Sequence, residues 1–164
     1  YYKDNSNLSL IDREKINYDH PESIDRKLIE KQLIQLSNWE NVNIPNYNFS
    51  THTRMNSKNK IVPKNIIILD GIFALYFEEI YKLLDIKVFL NTPRDISFIR
   101  RLERDIAYRG RSLDSTIKQY LNSVRPMYEK YIKPTQNLSD IIIEHNQDFS
   151  KLIDKVNFLM GRNS

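Results

Sequence analysis

The chain has 164 residues, no cysteine, 40% hydrophobic and 28% charged residues, and a formal net charge of +4. That length is enough for one domain with a sizeable core. The lack of cysteine excludes disulfides and zinc–thiolate sites and suits a reducing cytoplasm, and no apolar stretch approaches membrane-spanning length.

The segment Ser6 to Lys15 is polar and reads as loop or short helix. Pro21 suits a helical first turn, and Ile24, Leu28, Leu33 and Leu36 then mark one apolar face running to about Trp39. The stretch Asn43 to Ser50, interrupted by Pro45, reads as one strand of a hairpin that returns near Lys60 to Val62 and spans about 42–63. The run Ile66 to Leu69 is short, β-branched and closed by Asp70-Gly71, the pattern of a strand buried on both faces of a parallel sheet. A helix is expected near Ala74 to Leu83, and a second buried strand at Ile86 to Leu90. Pro93 opens a helix through about Tyr108 that Gly110 stops. A helix over about Leu113 to Tyr131, a core strand at Ile141 to Ile143 and a helix from about Phe149 to Met160 complete the chain. Strands alternating with helices predict an α/β fold with a mainly parallel sheet.

Four features carry chemistry. Asp70 follows a predicted strand, so it either closes a turn with Gly71 or presents a carboxylate at the edge where α/β sheets bind ligands and Mg²⁺. Arg100, Arg101, Arg104, Arg109 and Arg111 concentrate in one segment, whereas the lysines are scattered. They form either a salt-bridged helix face or a grip on phosphates, with Arg109 and Arg111 flanking Gly110 at a lid tip. Glu103 and Asp105 temper that charge. Tyr47 and Phe49 alternate with polar residues, and with His52 they make either a packed hairpin or a slot for a planar base. Asp19 either caps the helix after it or accepts hydrogen bonds from a sugar diol; His20 serves the local turn. Only three glycines are present, at 71, 110 and 161, so the glycine-rich phosphate loop G-x-x-x-x-G-K-[ST] is absent.

The ordered set resembles the uridine/cytidine kinase family. It comprises Tyr1-Tyr2-Lys3-Asp4, Asn17-Tyr18-Asp19-His20-Pro21, Pro45 to Arg54, Leu69-Asp70-Gly71-Ile72, Arg100-Arg101-Leu102-Glu103-Arg104-Asp105, Arg109-Gly110-Arg111-Ser112, Gln119-Tyr120, Val124-Arg125-Pro126-Met127 and Ile132-Lys133-Pro134-Thr135. Each motif is modest; their order through nearly the whole chain is specific. The resemblance implies a P-loop-kinase-like fold in a single domain over 1–164, with a small β-hairpin insertion and an arginine-rich helical lid at about 100–115. It implies transfer of the γ-phosphoryl group of ATP or GTP, with Mg²⁺, to the 5′-hydroxyl of uridine or cytidine in pyrimidine salvage. Tyr2 would line the nucleoside site, and Asp19 would hold the ribose beside Tyr18. Tyr47 and His52 would read the pyrimidine between the apolar walls Phe49 and Ile72. Arg101, Arg111 and Gln119 would reach the nucleoside, Arg104 and Arg109 the phosphates, and Asp70 the metal. The phosphate loop, the first strand and a general-base Asp are expected just upstream of Tyr1, so the segment alone is expected to be inactive. A cytoplasmic homo-oligomer, often a tetramer, is the family's habit.

Two positions depart from the pattern. Relatives mostly carry Glu where Asp70 stands, so a water would bridge the shorter side chain to the metal. Their Pro-Arg-Gly turn is replaced by Glu144-His145-Asn146, which weakens the donor-side contact implied for Asp148. Three rivals remain at this level: another P-loop small-molecule kinase such as a phosphoribulokinase, a basic nucleic-acid-binding module, and a catalytically dead scaffolding fragment. The base-shaped segment Tyr47 to His52 argues against the first, and the local grouping of the arginines against the second.

Overall fold

The computed structural model describes residues 1–161. Its first helix, α1 (Leu10–Glu14), starts where the Ser9 side chain accepts the Asp12 amide hydrogen. The helix expected from Pro21 is divided. Pro21–Ser23 form a single 3₁₀ turn capped by the His20 ring, and α2 (Arg26–Ser37) begins afresh under the Asp25 carboxylate, which accepts from Leu28 N–H. Capping thus falls to His20 and Asp25, which leaves Asp19 free of that role.

Strands β1 (Val42–Asn48) and β2 (Thr53–Ile61) form an antiparallel hairpin. Its register slips between Pro45 and Tyr47. Pro45 has no N–H to give the ladder, and a bulge there twists the strand and re-aims its later side chains. The tip is folded by Asn48, whose side-chain oxygen accepts from the amides of Ser50 (2.9 Å) and Thr51 (3.2 Å). Just behind the tip the hairpin is fastened by Arg54, which donates to the Tyr2 carbonyl at 2.8 Å and to Asp25 at 2.9 Å.

The run Ile66 to Leu69 differs from expectation. It belongs to no strand, and Ile68 is 86% exposed. A strand needs a ladder partner, and none of the described residues offers one here. Leu69 alone of the four packs against the core. The helix expected from Ala74 shrinks to turns and α3 (Glu78–Tyr81). Strands β3 (Val88–Asn91) and β4 (Ile141–Glu144) pair in parallel with Val88 opposite Ile141. Among the described residues the parallel sheet therefore has two strands, which makes the fold mixed α/β.

Helix α4 (Arg94–Arg109) runs as expected and ends at Gly110, whose φ of +63° is the left-handed stop that glycine tolerates. The long helix expected next is wound in pieces. After α5 (Leu113–Gln119) come a π-turn (Tyr120–Val124), α6 (Arg125–Met127) and a second π-turn (Tyr128–Ile132), followed by 3₁₀ winding over Lys133–Leu138. Helix α7 (Ser150–Leu159) closes the described chain. The core gathers Ile29 of α2, Phe73, Leu75, Phe77, Ile80, Phe89 of β3 and Ile132.

Candidate active site

The hairpin tip, the Tyr18–Asp19 loop and the end of α4 converge on one place. Tyr2 enters as the partner of Ile24 in an isolated antiparallel bridge. Its ring lies 5.0 Å from Tyr47, 5.6 Å from Tyr18 and 6.3 Å from Phe49, centre to centre. Tyr47 and Phe49 are 5.3 Å apart, so the two alternating positions do meet on one side, although Phe49 already lies in the turn beyond β1. His52 stacks on Tyr18 at 4.6 Å with the rings 9° from parallel. It takes a positive φ of +53° to do so, a strained state for a residue other than glycine.

This aromatic group has polar capacity to spare. The hydroxyls of Tyr18 and Tyr47 are buried without a hydrogen-bond partner among the described residues. Burial pushes the Tyr47 phenol far above its ordinary range, and burial together with the Asp19 charge raises Tyr2. Both are therefore protonated donors at neutral pH. Burial first, then Arg111, pulls His52 below the usual imidazole value, which favours the neutral ring.

A charged wall stands beside the rings. Arg101 faces Asp19 at 3.9 Å, and both side chains are largely buried. Arg101 also donates to the Gln119 side-chain oxygen at 3.2 Å, which Arg111 shares. Asp105 is the hub: only 1% exposed, it lies 2.8 Å from Arg104, 3.2 Å from Arg109 and 3.4 Å from Arg101. Arg109 in turn rests on the Phe49 ring at 4.6 Å, joining the end of α4 to the hairpin tip. Burial and the neighbouring Arg104 lower its affinity for its proton, yet a guanidinium stays charged near neutrality. The wall can thus receive anions while the rings receive a flat, hydrogen-bonding group.

Tyr2, Tyr18, Asp19, Tyr47, Phe49, His52, Arg101, Arg104, Arg109, Arg111 and Gln119 are therefore brought together. Asp70, Ile72 and Asp148 are not joined to them by any hydrogen bond, ion pair or ring contact among the described residues. Asp70 and Ile72 are exposed, and Asp148 accepts from the amide and hydroxyl of Ser150 in a local turn at the start of α7. Two contributors escaped the sequence reading. Asp105 passed for a charge diluent, although its spacing of four from both Arg101 and Arg109 is the helical signal of a shared counterion. Ser123 donates to Asp19 at 3.0 Å from more than a hundred residues away, and no local pattern announces it.

Comparison with known proteins identifies the family. A family profile described as the Phosphoribulokinase / Uridine kinase family matches residues 6–150. A uridine kinase of Lactobacillus helveticus (strain DPC 4571) is 49% identical over 154 residues, covering 94% of this chain and 73% of that protein. One from Clostridium tetani (strain Massachusetts / E88) is 51% identical over 143 residues, 87% of this chain and 68% of that protein. A third, from Anoxybacillus flavithermus (strain DSM 21510 / WK1), is 44% identical over 168 residues, all of this chain and 80% of that protein. With a family profile over residues 6–150 and relatives 44–51% identical along most of its length, the chain belongs to the phosphoribulokinase/uridine kinase family.

Proposed function

We propose that this protein is a pyrimidine ribonucleoside kinase that moves the γ-phosphoryl group of ATP or GTP to the 5′-hydroxyl of uridine or cytidine. The observation that carries the reading is the juxtaposition of a largely buried carboxylate, Asp19, with the rings of Tyr2, Tyr18, Tyr47, Phe49 and His52 and with Arg101. A carboxylate accepts from both hydroxyls of a vicinal diol. The rings offer a flat slot in which an aromatic base gains stacking, and the unpartnered phenols and the neutral imidazole can meet its polar edge. Phe49 forms an apolar side of the slot, with Ile72 as a further wall in the same reading. Arg101, Arg111 and Gln119 hold the nucleoside, while Arg104 and Arg109 meet the transferring phosphate, where charge spreads over the equatorial oxygens. Closing that wall over the rings excludes water, which would otherwise accept the phosphoryl group.

Among the described residues no group of three or more His, Asp and Glu side chains gathers to hold a metal. The exposed carboxylate of Asp70 nonetheless suits Mg²⁺, which commonly takes one or two protein carboxylates and fills its octahedron with phosphate oxygens and water. Bound with the donor, Mg²⁺ would neutralise charge on the β- and γ-phosphate oxygens. Asp148 would lie on the donor side. The cysteine-free composition fits a cytoplasmic setting, and among the described residues no helix is long and apolar enough to cross a membrane. Association into a tetramer belongs to the same reading and is checked by light scattering.

A panel of acceptors incubated with labelled ATP and the full-length protein, phosphate loop included, tests the assignment. Labelled uridine or cytidine monophosphate is the expected product. Transfer to a sugar phosphate with none to nucleosides would instead favour the phosphoribulokinase branch, which the same family profile covers.

A further inference from the structure

The loop Asn17 to His20 carries the carboxylate on which ribose recognition depends, and one helical segment grips it at two points. Both grips come from the π-turns. Ser123, in the first, places its hydroxyl 3.0 Å from Asp19 Oδ2 and 2.7 Å from Asn17 Oδ1. Tyr131, in the second, places its hydroxyl 2.8 Å from His20 Nε2. His20 Nδ1 accepts the Glu22 amide hydrogen, so the neutral ring carries its proton on Nε2 and donates to Tyr131. Wide i→i+5 turns are rare in helices and frequently mark functional sites. Here they aim two hydroxyls at one short loop.

The hydrogen count around Asp19 is informative. A serine hydroxyl has one proton, and two acceptors lie within its reach. Asn17 Oδ1 already receives the Asp19 amide hydrogen at 3.0 Å. Asp19 Oδ1 faces Arg101 at 3.9 Å, too far for a direct hydrogen bond. An ionised carboxylate has about four acceptor positions, so most of Asp19's capacity is unspent while its orientation is fixed. That is the condition for receiving two donors at once.

Building on the nucleoside-kinase reading, we infer that Ser123 is a positioning residue for ribose selection. It holds the Asp19 carboxylate turned toward the sugar diol. When the two sugar hydroxyls donate to Asp19, the Ser123 hydroxyl rotates to donate to Asn17 Oδ1 alone. Tyr131 holds the other end of the loop through His20.

The test compares Ser123→Thr with Ser123→Val, two side chains of nearly the same shape that differ in the hydroxyl. Steady-state kinetics with uridine, measured on the full-length protein, are read alongside calorimetric affinity for 2′,3′-dideoxyuridine, which lacks the diol. The threonine variant should keep the uridine KM within about twofold of wild type, and the valine variant should raise it about tenfold with kcat within about twofold. Affinity for the dideoxy compound should be the same in both. Equal uridine KM values for the two variants, or an equal loss on both ligands, overturns the inference. A wild-type protein that neither binds nor phosphorylates uridine refutes the nucleoside reading itself, and this inference with it; that result is visible before any variant is made.

Discussion

The replacement Asp105→Asn keeps the shape of the hub and removes its charge. Asp105 is 1% exposed and its oxygens lie 2.8, 3.2 and 3.4 Å from three guanidinium groups. At an effective dielectric of about 20, a pair near 3 Å is worth about 5 kcal/mol before desolvation. Burying the carboxylate offsets most of that gross gain, but removing one partner of a buried pair commonly costs about 3–5 kcal/mol because the others lose their counterion. Arg104 and Arg109 keep some access to water, with side chains 46% and 31% exposed, so the lower end applies and the expected loss is about 3 kcal/mol. For a chain of this size that lowers Tm by about 6–12 °C. The assay is thermal unfolding followed by circular dichroism at low and at high salt. The loss should widen at low salt, where three neighbouring cations repel one another with less screening. A Tm within about 2 °C of wild type under both conditions would show that the arginines do not depend on Asp105.

His52 is held below its ordinary pKa by burial and by Arg111. The unfolded chain therefore binds more protons, and stability falls as pH drops from the unfolded value of about 6.5 through the lower folded value. Urea midpoints at about pH 7.5 and 5.5 should differ more for wild type than for His52→Gln; equal differences would remove His52 as the cause. Tyr47→Phe deletes a buried hydroxyl that lacks a partner, so it should leave Tm within about 3 °C of wild type while weakening uridine affinity about tenfold; unchanged affinity would clear Tyr47 of base recognition. At Gly110 an added Cβ meets nothing within 4 Å, so Gly110→Ala should cost only the left-handed backbone penalty of about 1–2 kcal/mol, and Gly110→Asn less, by denaturant titration.

What was legible in the sequence followed local rules. Helix α4 and its glycine stop, the hairpin, and the parallel pair β3–β4 rest on capping, turn chemistry and apolar runs, which act over a few residues. Ile66 to Leu69 satisfied the same rule for a strand and yet pairs with nothing described, because a ladder is a property of two segments and the run is only one. The helix predicted across Leu113 to Tyr131 carries Pro126 inside it, which breaks the i→i−4 ladder between the two π-turns and was a local signal of irregular winding; the long-range contacts those turns make, such as Tyr131 with His20, had none. The aromatic and arginine members of the site were readable because their chemistry is uncommon. The residues that orient them, Asp105 and Ser123, are ordinary types whose importance lies in what the fold sets beside them.

The seat of Arg109 on Phe49 sets how tightly the entrance is held when nothing is inside. A cation over a ring at a partly exposed site is worth about 0.5–1 kcal/mol. Taken alone, that contact corresponds to a joined-to-parted ratio of only about two to five, so it adds little to the facing charges of Arg101 and Asp19. In the nucleoside-kinase reading, firm closure of α4 on the hairpin tip would come from the phosphate and base of the bound partners.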